Sequence, residues 1–351
     1  MVSDRRRPVE ALIVAVPETA GSTLYGMIDV FSAAGNVWQK LVGTEKPRRL
    51  IRPRIVSTST KPFRCANGIP MAPDLSIASD PKADIVILPE LWLAHDEDMK
   101  GRYPKLMDWI RRRYECGSTI YSACSGSIML AETGLLTGKA ATSHWGYEQV
   151  FRHSYPAVDF RAESTLRFAD ASGRIVTAGG GIMCWQNLVI HIISRHCSPG
   201  EALRVAKLYL MKWHGEGQLP YASLVRTAPH ADSIVRACSN WLDQHYREAN
   251  AVTGVEKFSG LPRRSLKRRF KAITGSTLIE HVQNLRVEEA KRLLETAPIS
   301  VDEVSAAVGY EDSAFFRRLF RRLTGLTPTA YRRMFRPIAV GQGRGGTIPE
   351  I

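Results

Sequence analysis

Cys124 is the residue whose surroundings in the sequence most favour chemistry. Residues 120–127 predict a short strand that turns through small residues directly into a helix. A cysteine at such an elbow lies at a helix N-terminus, where the helix dipole favours the thiolate. Nucleophilic catalysis would also require a base that accepts the thiol proton and a third group that orients this base. His144 is a candidate base, although a histidine beside Trp145 near a strand end is more often structural.

A second kind of chemistry is indicated by a basic segment that occurs twice in the C-terminal third of the chain. Residues 265–275 align without gaps with residues 315–325, and in both copies apolar residues recur at helical spacing while the cations fall mostly on the other faces. A glycine follows the last turn of each copy, as a left-handed C-cap requires. Four positions are identical in the two copies: Arg268 and Arg318, Phe270 and Phe320, Thr274 and Thr324, and Gly275 and Gly325.

Each basic segment is preceded by a short amphipathic helix, predicted at residues 252–258 and 301–307, and by a glycine-containing turn. This order is the helix-turn-helix arrangement, whose second helix enters the major groove of DNA. One basic helix is most often a solvated surface, but its recurrence behind the same turn favours DNA binding. A continuous helix predicted at residues 278–295 would be about 27 Å long. Because one DNA turn is about 34 Å, a single chain could read two segments of a duplex.

The composition narrows the class of protein. The chain has 48 Lys+Arg against 34 Asp+Glu, a net charge of +14, which favours polyanionic partners. The cysteines form no C-x-x-C pair and no cluster at zinc spacing, so we expect a reduced protein without a metal site, and no motif implies a cofactor. The apolar run 11–16 is too short for a signal peptide, and no stretch approaches the roughly 20 apolar residues of a membrane span. We therefore expect a cytoplasmic protein without a membrane partner.

The elements that must position these residues form two domains. From residue 10 to about 220, β-rich runs alternate with helical patterns, which predicts a doubly wound, flavodoxin-like α/β sandwich. Strands are predicted at 11–16, 51–57, 84–89, 119–122 and 174–178, and helices at 24–38, 103–116, 127–132, 184–195 and 201–213. An all-α pattern follows from residue 233. We predict an α/β domain at 1–220, a linker at 221–231, an all-α domain at 232–336 and a disordered tail at 337–351.

Residues 233–336 resemble the AraC/XylS family of transcription regulators. The resemblance covers both helix-turn-helix units, the linker helix around residues 285–290 and the closing string at residues 325–332, which is the family's most specific signature. It implies double-stranded promoter DNA as a partner, and RNA polymerase is a further candidate partner. It also implies these groove-facing positions: Arg263, Arg264, Lys267 and Arg268 in the first unit, and Ser313, Ala314, Arg317 and Arg318 in the second.

The side chains at these positions favour different contacts. Arginine can bind guanine O6 and N7 through two hydrogen bonds, whereas Lys267 could do so or bind a phosphate, and Ala314 offers only apolar contact. This mixture counts against a binder that is purely electrostatic, which would treat all sequences alike.

The elbow, together with residues 142–145, resembles the PfpI-type branch of the class I glutamine-amidotransferase-like superfamily. An active hydrolase of that type has histidine directly after the elbow cysteine, but this chain has Ser125, and the His-x-Glu pair of true amidotransferases is missing from residues 178–185. We therefore expect no catalytic residues and no enzyme activity. The alternative is a cysteine-dependent hydrolase that uses Cys124.

A domain without catalysis could keep the pocket and sense a small molecule there. Ligands of open α/β sheets bind at the carboxyl ends of the strands, where Glu90 and Cys124 fall. The resemblance adds Asp29 on the first helix and suggests an amino-acid-like or betaine-like effector, since carboxylates near aromatic rings suit a cationic group. The family also typically forms homodimers through this domain, for which helix 201–213 is a candidate. The candidate ligand-binding residues are Asp29, Glu90, Cys124, Ser125, His144 and Trp185.

Overall fold

A computed structural model describes residues 7–43, 45–94, 96–225 and 232–340, with the side chains of residues 182, 183 and 337–340 left aside. The chain divides into two compact units, Met1–Gln218 and Leu219–Ile351.

The first unit is built on a seven-stranded sheet. Its strands and those of two small ribbons are β1 (Val9–Val14), β2 (Ile51–Ser57), β3 (Phe63–Arg64), β4 (Pro70–Met71), β5 (Leu75–Ser76), β6 (Ile85–Leu88), β7 (Thr119–Ala123), β8 (Ala140–Ala141), β9 (Asp159–Phe160), β10 (Leu166–Phe168) and β11 (Ile175–Ala178). The order in the sheet is β10-β11-β7-β6-β1-β2-β5, and only β10 runs antiparallel to its neighbour. The central five strands have the flavodoxin-like order, which confirms the predicted fold class.

Helices cover both faces of this sheet. They are α1 (Gly21–Ala33), α2 (Val37–Val42), α3 (Pro104–Glu115), α4 (Gly126–Glu132), α5 (Glu148–Ser154), α6 (Ile182–His196) and α7 (Pro199–Leu208). Because successive side chains of a strand point to opposite faces, β1 contributes to two cores. Ala11 and Ile13 pack with residues of α1, α6 and α7, whereas Leu12 and Val14 pack with residues of α3 and α4.

Two predicted helices have different bounds in the structure. The helix predicted at 24–38 is two helices, α1 and α2, with Gly35 between them at a φ of 74°. The helix predicted at 201–213 ends at Leu208, and Leu210 has a φ of 53°. A left-handed residue cannot continue a right-handed α-helix, so residues 211–213 leave the helix direction.

The second unit is all α-helical over its described residues. Its helices are α8 (Ser233–His245), α9 (Ala251–Phe258), α10 (Arg263–Thr274), α11 (Leu278–Thr296), α12 (Val301–Ala307), α13 (Ser313–Thr324) and α14 (Pro328–Val340). They form two small cores that share one helix. Leu278 and Val282 of α11 pack into the first core, and Val287, Ala290 and Leu294 of the same helix pack into the second.

The ends of this unit differ from the predicted boundaries. Residues predicted as linker pack on α11, where Lys291 Nζ donates to the Ala222 carbonyl at 2.7 Å and the Leu224 amide donates to Glu288 Oε1 at 2.9 Å. The predicted tail began at residue 337, but α14 continues to Val340, which corrects that boundary. Residues 226–231 of the predicted linker and 341–351 of the predicted tail lie outside the described residues.

The described residues include neither a candidate membrane helix nor a candidate metal cluster. No described helix combines the length and the apolar character needed to cross a bilayer. Within the same residues, no group of three or more His, Cys, Asp or Glu side chains could hold a metal ion. All six cysteines are free thiols.

Candidate functional site

The elbow after β7 places Cys124 in the left-handed region, with a φ of 54°, where the strand turns into α4. Its side chain is buried, with 5% of the residue surface exposed. Burial raises the pKa of the Cys124 thiol to about 12, and the nearby Glu90 carboxylate acts in the same direction. The sequence analysis expected the helix dipole to favour the thiolate. That expectation is wrong, because removal of the thiol from water outweighs the dipole.

Ser125 stands where an active hydrolase of this type has histidine. Its side chain is fully buried and makes hydrogen bonds to the backbone of one residue. Its Oγ donates to the Leu91 carbonyl at 2.5 Å and accepts from the Leu91 amide at 2.7 Å. Ser125 therefore fixes the segment after β6 to the elbow. It does not line the adjacent cavity, so its expected role as a ligand contact becomes one of positioning.

A cavity of about 610 Å³ lies beside the elbow. Three of the six candidate ligand residues line it, and sequence reasoning missed the aromatic and aliphatic ones. The lining residues are Glu90, Leu91, Trp92, Leu93, Ala94, Cys124, His144, Gly146 and Tyr147. The missed residues 91–94 directly follow the predicted Pro89–Glu90 turn, so the rule that ligands bind at the carboxyl ends of strands could have included them.

Polar groups of this cavity are held in place by neighbours. The hydroxyl of Thr23 on α1 donates to Glu90 Oε2 at 2.9 Å. His144 Nδ1 accepts from the Gly146 amide at 2.9 Å, so Nε2 carries the proton when the ring is neutral. Burial raises the pKa of the Tyr147 phenol to about 12, and its hydroxyl donates to the Leu93 carbonyl at 3.0 Å.

Asp29 and Trp185, the other two candidate ligand residues, do not line this cavity. Asp29 is exposed on α1, where its carbonyl accepts from the Tyr209 hydroxyl at 3.3 Å. Trp185 of α6 packs against Gly26 of α1, where a methyl group would come within 3.0 Å of the indole ring. Both belong to the contact between helices on one face of the sheet, a placement that their positions in the sequence did not reveal.

Gln218, the last residue of the first unit, holds the His144 loop from behind and was missed entirely. It is buried, and its side-chain nitrogen donates to the Ser143 carbonyl at 2.9 Å and to two more carbonyls at residues 162 and 164. Its Oε1 accepts from the Gly180 amide at 2.8 Å. Gly180 must be glycine, since a Cβ there would come within 2.5 Å of the His144 side chain. No sequence motif marks Gln218.

The two basic segments are the helices α10 and α13, and both end as predicted. Gly275 and Gly325 cap them in the left-handed conformation, with φ values of 78° and 77°. Leu266 and Phe270 of α10 are buried, as are Phe316 and Phe320 of α13, which leaves the cations on the outside.

The eight predicted groove-facing residues lie on the first two turns of α10 and of α13, and they fall into two groups. Arg263, Lys267 and Arg317 form ion pairs with acids of the preceding helices. Arg264, Arg268, Ala314 and Arg318 are exposed, and the described residues provide no ion pair to these three arginines. Ser313 is half-buried beside Asp302, whose pKa is lowered by hydrogen bonds from Arg317 and Ser313.

Arg286 of the shared helix α11 connects the end of α8 with the turn of the second helix-turn-helix unit. Its guanidinium donates to the carbonyls of Tyr246 and Glu248 at the end of α8, at 2.7 and 2.8 Å. A third hydrogen bond, at 2.9 Å, goes to the carbonyl of Gly309 in the turn of the second unit. In the sequence, Arg286 is distinguished only by its place in the linker-helix string at residues 285–290. Three charge-assisted bonds from one side chain fix the connection after α8 and the turn of the second unit to α11.

Comparison with known proteins agrees with this architecture. Residues 37–182 match the DJ-1/PfpI family, and residues 257–334 match the family described as a helix-turn-helix domain. The HTH-type transcriptional regulator CdhR of Pseudomonas aeruginosa is 26% identical over 285 residues, which are 81% of this chain and 82% of CdhR. The regulator GlxA of Rhizobium meliloti is 26% identical over 226 residues, 64% of this chain and 68% of GlxA. The MmsAB operon regulatory protein of P. aeruginosa is 39% identical over 106 residues, 30% of this chain and 33% of that protein.

The two recognition helices on one shared helix, in a chain that also contains a flavodoxin-like domain, define a DNA-binding transcriptional regulator of the helix-turn-helix class. The chain is an AraC-type regulator that combines a DJ-1/PfpI-family domain with an AraC-type helix-turn-helix domain. Its partner is double-stranded DNA.

Proposed function

We propose that the DJ-1/PfpI-family domain binds a small metabolite in the cavity beside Cys124 and thereby controls DNA binding. The cavity itself carries this proposal. Its volume of about 610 Å³ falls within the range of small-molecule sites. Glu90 supplies one carboxylate, and the rings of Trp92 and Tyr147 supply aromatic surface. A carboxylate among aromatic rings attracts an ammonium group by charge and by cation–π interaction, which supports an amino-acid-like or betaine-like effector.

We infer that the domain is not an enzyme, because the groups around Cys124 are engaged in ways that disfavour catalysis. A thiol with a pKa of about 12 is almost fully protonated at neutral pH. His144 Nδ1 accepts a backbone hydrogen bond, and Ser125 replaces the expected histidine. The second candidate function remains a cysteine-dependent hydrolase, which has the same elbow in its favour.

Binding of a metabolite panel to the full chain tests the sensor proposal. Thermal shift and calorimetry with free amino acids and quaternary ammonium compounds should identify compounds that raise the melting temperature. Glu90→Gln keeps the acceptor for Thr23 but removes the charge. It should therefore lower the affinity for cationic compounds by about tenfold or more, as loss of one charge-assisted contact does. Asp29→Asn is the matched control, because Asp29 lies outside the cavity. Failure of every compound with folded protein would count against a sensor.

Removal of the thiol separates the two candidate functions. Cys124→Ala should keep both metabolite binding and its effect on DNA affinity, since the sensor needs no nucleophile. Hydrolysis of a chromogenic ester or amide by the native chain, lost in Cys124→Ala, would favour the hydrolase instead.

We further propose a homodimer formed through the surface of α7 and the residues that follow it. Leu203, Leu210 and Trp213 are exposed there, with 88% of Leu210 accessible to solvent. Light scattering should show that Leu203→Glu with Leu210→Glu converts a dimer to a monomer. RNA polymerase is a proposed partner if the regulator activates transcription, and the cytoplasm is the compartment in which a bacterial-type regulator meets its promoters.

A further inference from the structure

One acid of α9 holds two cations of the first recognition helix. Glu256 Oε1 lies 3.0 Å from Arg263 Nε and 3.3 Å from Lys267 Nζ. Arg263 and Lys267 are four residues apart, so they share one face of α10, and this face is turned toward α9. Arg264 and Arg268 share the neighbouring face, which is open.

The second unit repeats this division. Lys267 aligns with Arg317 in the duplicated segment, and Arg317 pairs with Asp302 of α12 at 2.9 Å. Arg268 aligns with Arg318, which is exposed and has no ion pair to a described residue. In both units, therefore, one cationic face is tied to an acid of the preceding helix and the next face is open.

The two acids differ in their contact with water. The side chain of Glu256 is 10% exposed, whereas that of Asp302 is 65% exposed. An ion pair in water is worth little because the solvent screens it, while a shielded carboxylate interacts more strongly with its partners. The cations themselves reach solvent in both units, since the side chains of Arg263, Lys267 and Arg317 are 70%, 41% and 43% exposed. Glu256 differs from Asp302 in that one shielded carboxylate contacts two cations, whereas the exposed Asp302 contacts one.

We propose that Glu256 is a specificity-determining residue of DNA binding. It retains Arg263 and Lys267 in the complex and so withholds two positive charges from the phosphates. Phosphate contacts supply nearly all of the affinity for random DNA, whereas specificity comes from contacts with base edges. By limiting the number of phosphate contacts, Glu256 raises the ratio of specific to non-specific binding. Base reading is left to the open faces.

Replacement of the carboxylate by an amide tests this role. Glu256→Gln keeps the size of the side chain but should release both cations. The probe is a labelled random-sequence duplex of about 30 base pairs, nearly three helical turns. Its affinity for the full chain is measured by fluorescence anisotropy between about 50 and 200 mM salt. Each additional neutralised phosphate steepens the plot of log K against log salt by about 0.9, so we expect a slope steeper by about 1–2. The affinity for random DNA should rise about 3- to 10-fold, and preference for a duplex selected by the native protein should fall.

Two control variants separate release of cations from the loss of one negative charge. Glu311→Gln removes an exposed acid just before α13, for which the described residues contain no ion pair. It should change the slope by less than about 0.5, because it frees no phosphate-binding cation. Asp302→Asn disrupts the exposed ion pair with Arg317. The slope of its salt plot should lie between the slopes of Glu256→Gln and Glu311→Gln. Equal slopes for Glu256→Gln and Glu311→Gln would overturn the proposal.

A variant that keeps Glu256 covers the case in which Glu256→Gln does not fold. Arg263→Gln with Lys267→Gln should leave the slope within about 0.5 of the native value, since cations held by Glu256 bind no phosphate. A slope that is shallower by about 1–2 would overturn the proposal by showing that these cations already contact phosphates.

Discussion

The guanidinium of Arg286 lies 2.9 Å from the carbonyl oxygen of Gly309, so a side chain of the shared helix caps the turn of the second helix-turn-helix unit. The same side chain caps the end of α8 in the first unit through two further carbonyls. α11 also contributes apolar residues to both cores. One helix and one arginine therefore join the two small cores of this domain.

Arg286→Ala should destabilise the helical domain, because Arg286 binds carbonyls on both sides of α11. It leaves three carbonyls without their charged donor, and we expect the free energy of unfolding of this domain to fall by about 2–4 kcal/mol. Chemical denaturation followed by far-UV circular dichroism measures this loss. Arg292→Ala is the matched control on the same helix, since Arg292 is exposed and Glu289 is its ion-pair partner among the described residues. Its cost should be below about 1 kcal/mol. Equal costs for both variants would contradict a connecting role for Arg286.

Arg268→Ala should weaken specific DNA binding by about 1–3 kcal/mol and relax sequence choice at one position, as loss of a bidentate base contact does. Its side chain lies on the open face of α10. Footprinting and affinity on a selected duplex and on scrambled DNA, at one salt concentration, measure both effects. Lys271→Ala, an exposed cation in the last turn of α10, serves as the control and should lower both affinities alike. An unchanged footprint and affinity for Arg268→Ala would exclude it as a base-reading residue.

Gln218→Glu should destabilise the fold around the cavity, although it keeps the shape of the side chain. The native amide nitrogen donates to several carbonyls, but a carboxylate cannot donate and would repel them. We expect a loss of about 2–4 kcal/mol in the stability of the first domain, together with loss of metabolite binding. Gln149→Glu makes the same chemical change at an exposed position of α5 and should cost less than about 0.5 kcal/mol. An unaltered free energy of unfolding for Gln218→Glu, measured in urea, would show that Gln218 does not hold the His144 loop.

The first domain should lose stability in alkaline solution because burial raises the pKa of both Cys124 and Cys184 to about 12. An unfolded thiol ionises near pH 8.5, so these thiols contribute full stability below that pH. The contribution is lost as the pH rises from about 8.5 toward 12, by up to about 1.4 kcal/mol per pH unit for each thiol. Urea midpoints at pH 7.5 and 10 measure the loss. Cys124→Ser, which carries no titrating thiol, should show a smaller decline than the native chain. A parallel decline would contradict the raised pKa.

Much of the architecture could be read from the sequence, because local patterns determine it. Continuous apolar runs such as residues 11–16 predicted the strands, since parallel strands covered on both faces are apolar throughout. The duplicated segment predicted α10, α13 and their glycine caps. The helix at 278–295 was predicted almost to its true ends, Leu278 and Thr296, since its apolar spacing is a local feature. The groove-facing residues and the sensing role remain predictions.

The sequence by itself determined the elbow at Cys124, the absence of its expected histidine and the two basic helices, since all of these depend on residues near one another in the chain. Only the tertiary structure decided the ionisation of Cys124, because burial depends on segments far apart in the chain. It also decided that Asp29 and Trp185 lie away from the cavity, that Gln218 holds the His144 loop, and that Glu256 holds Arg263 and Lys267. A carboxylate or an amide acquires such a role from the groups folded against it, and spacing along the chain does not encode those neighbours.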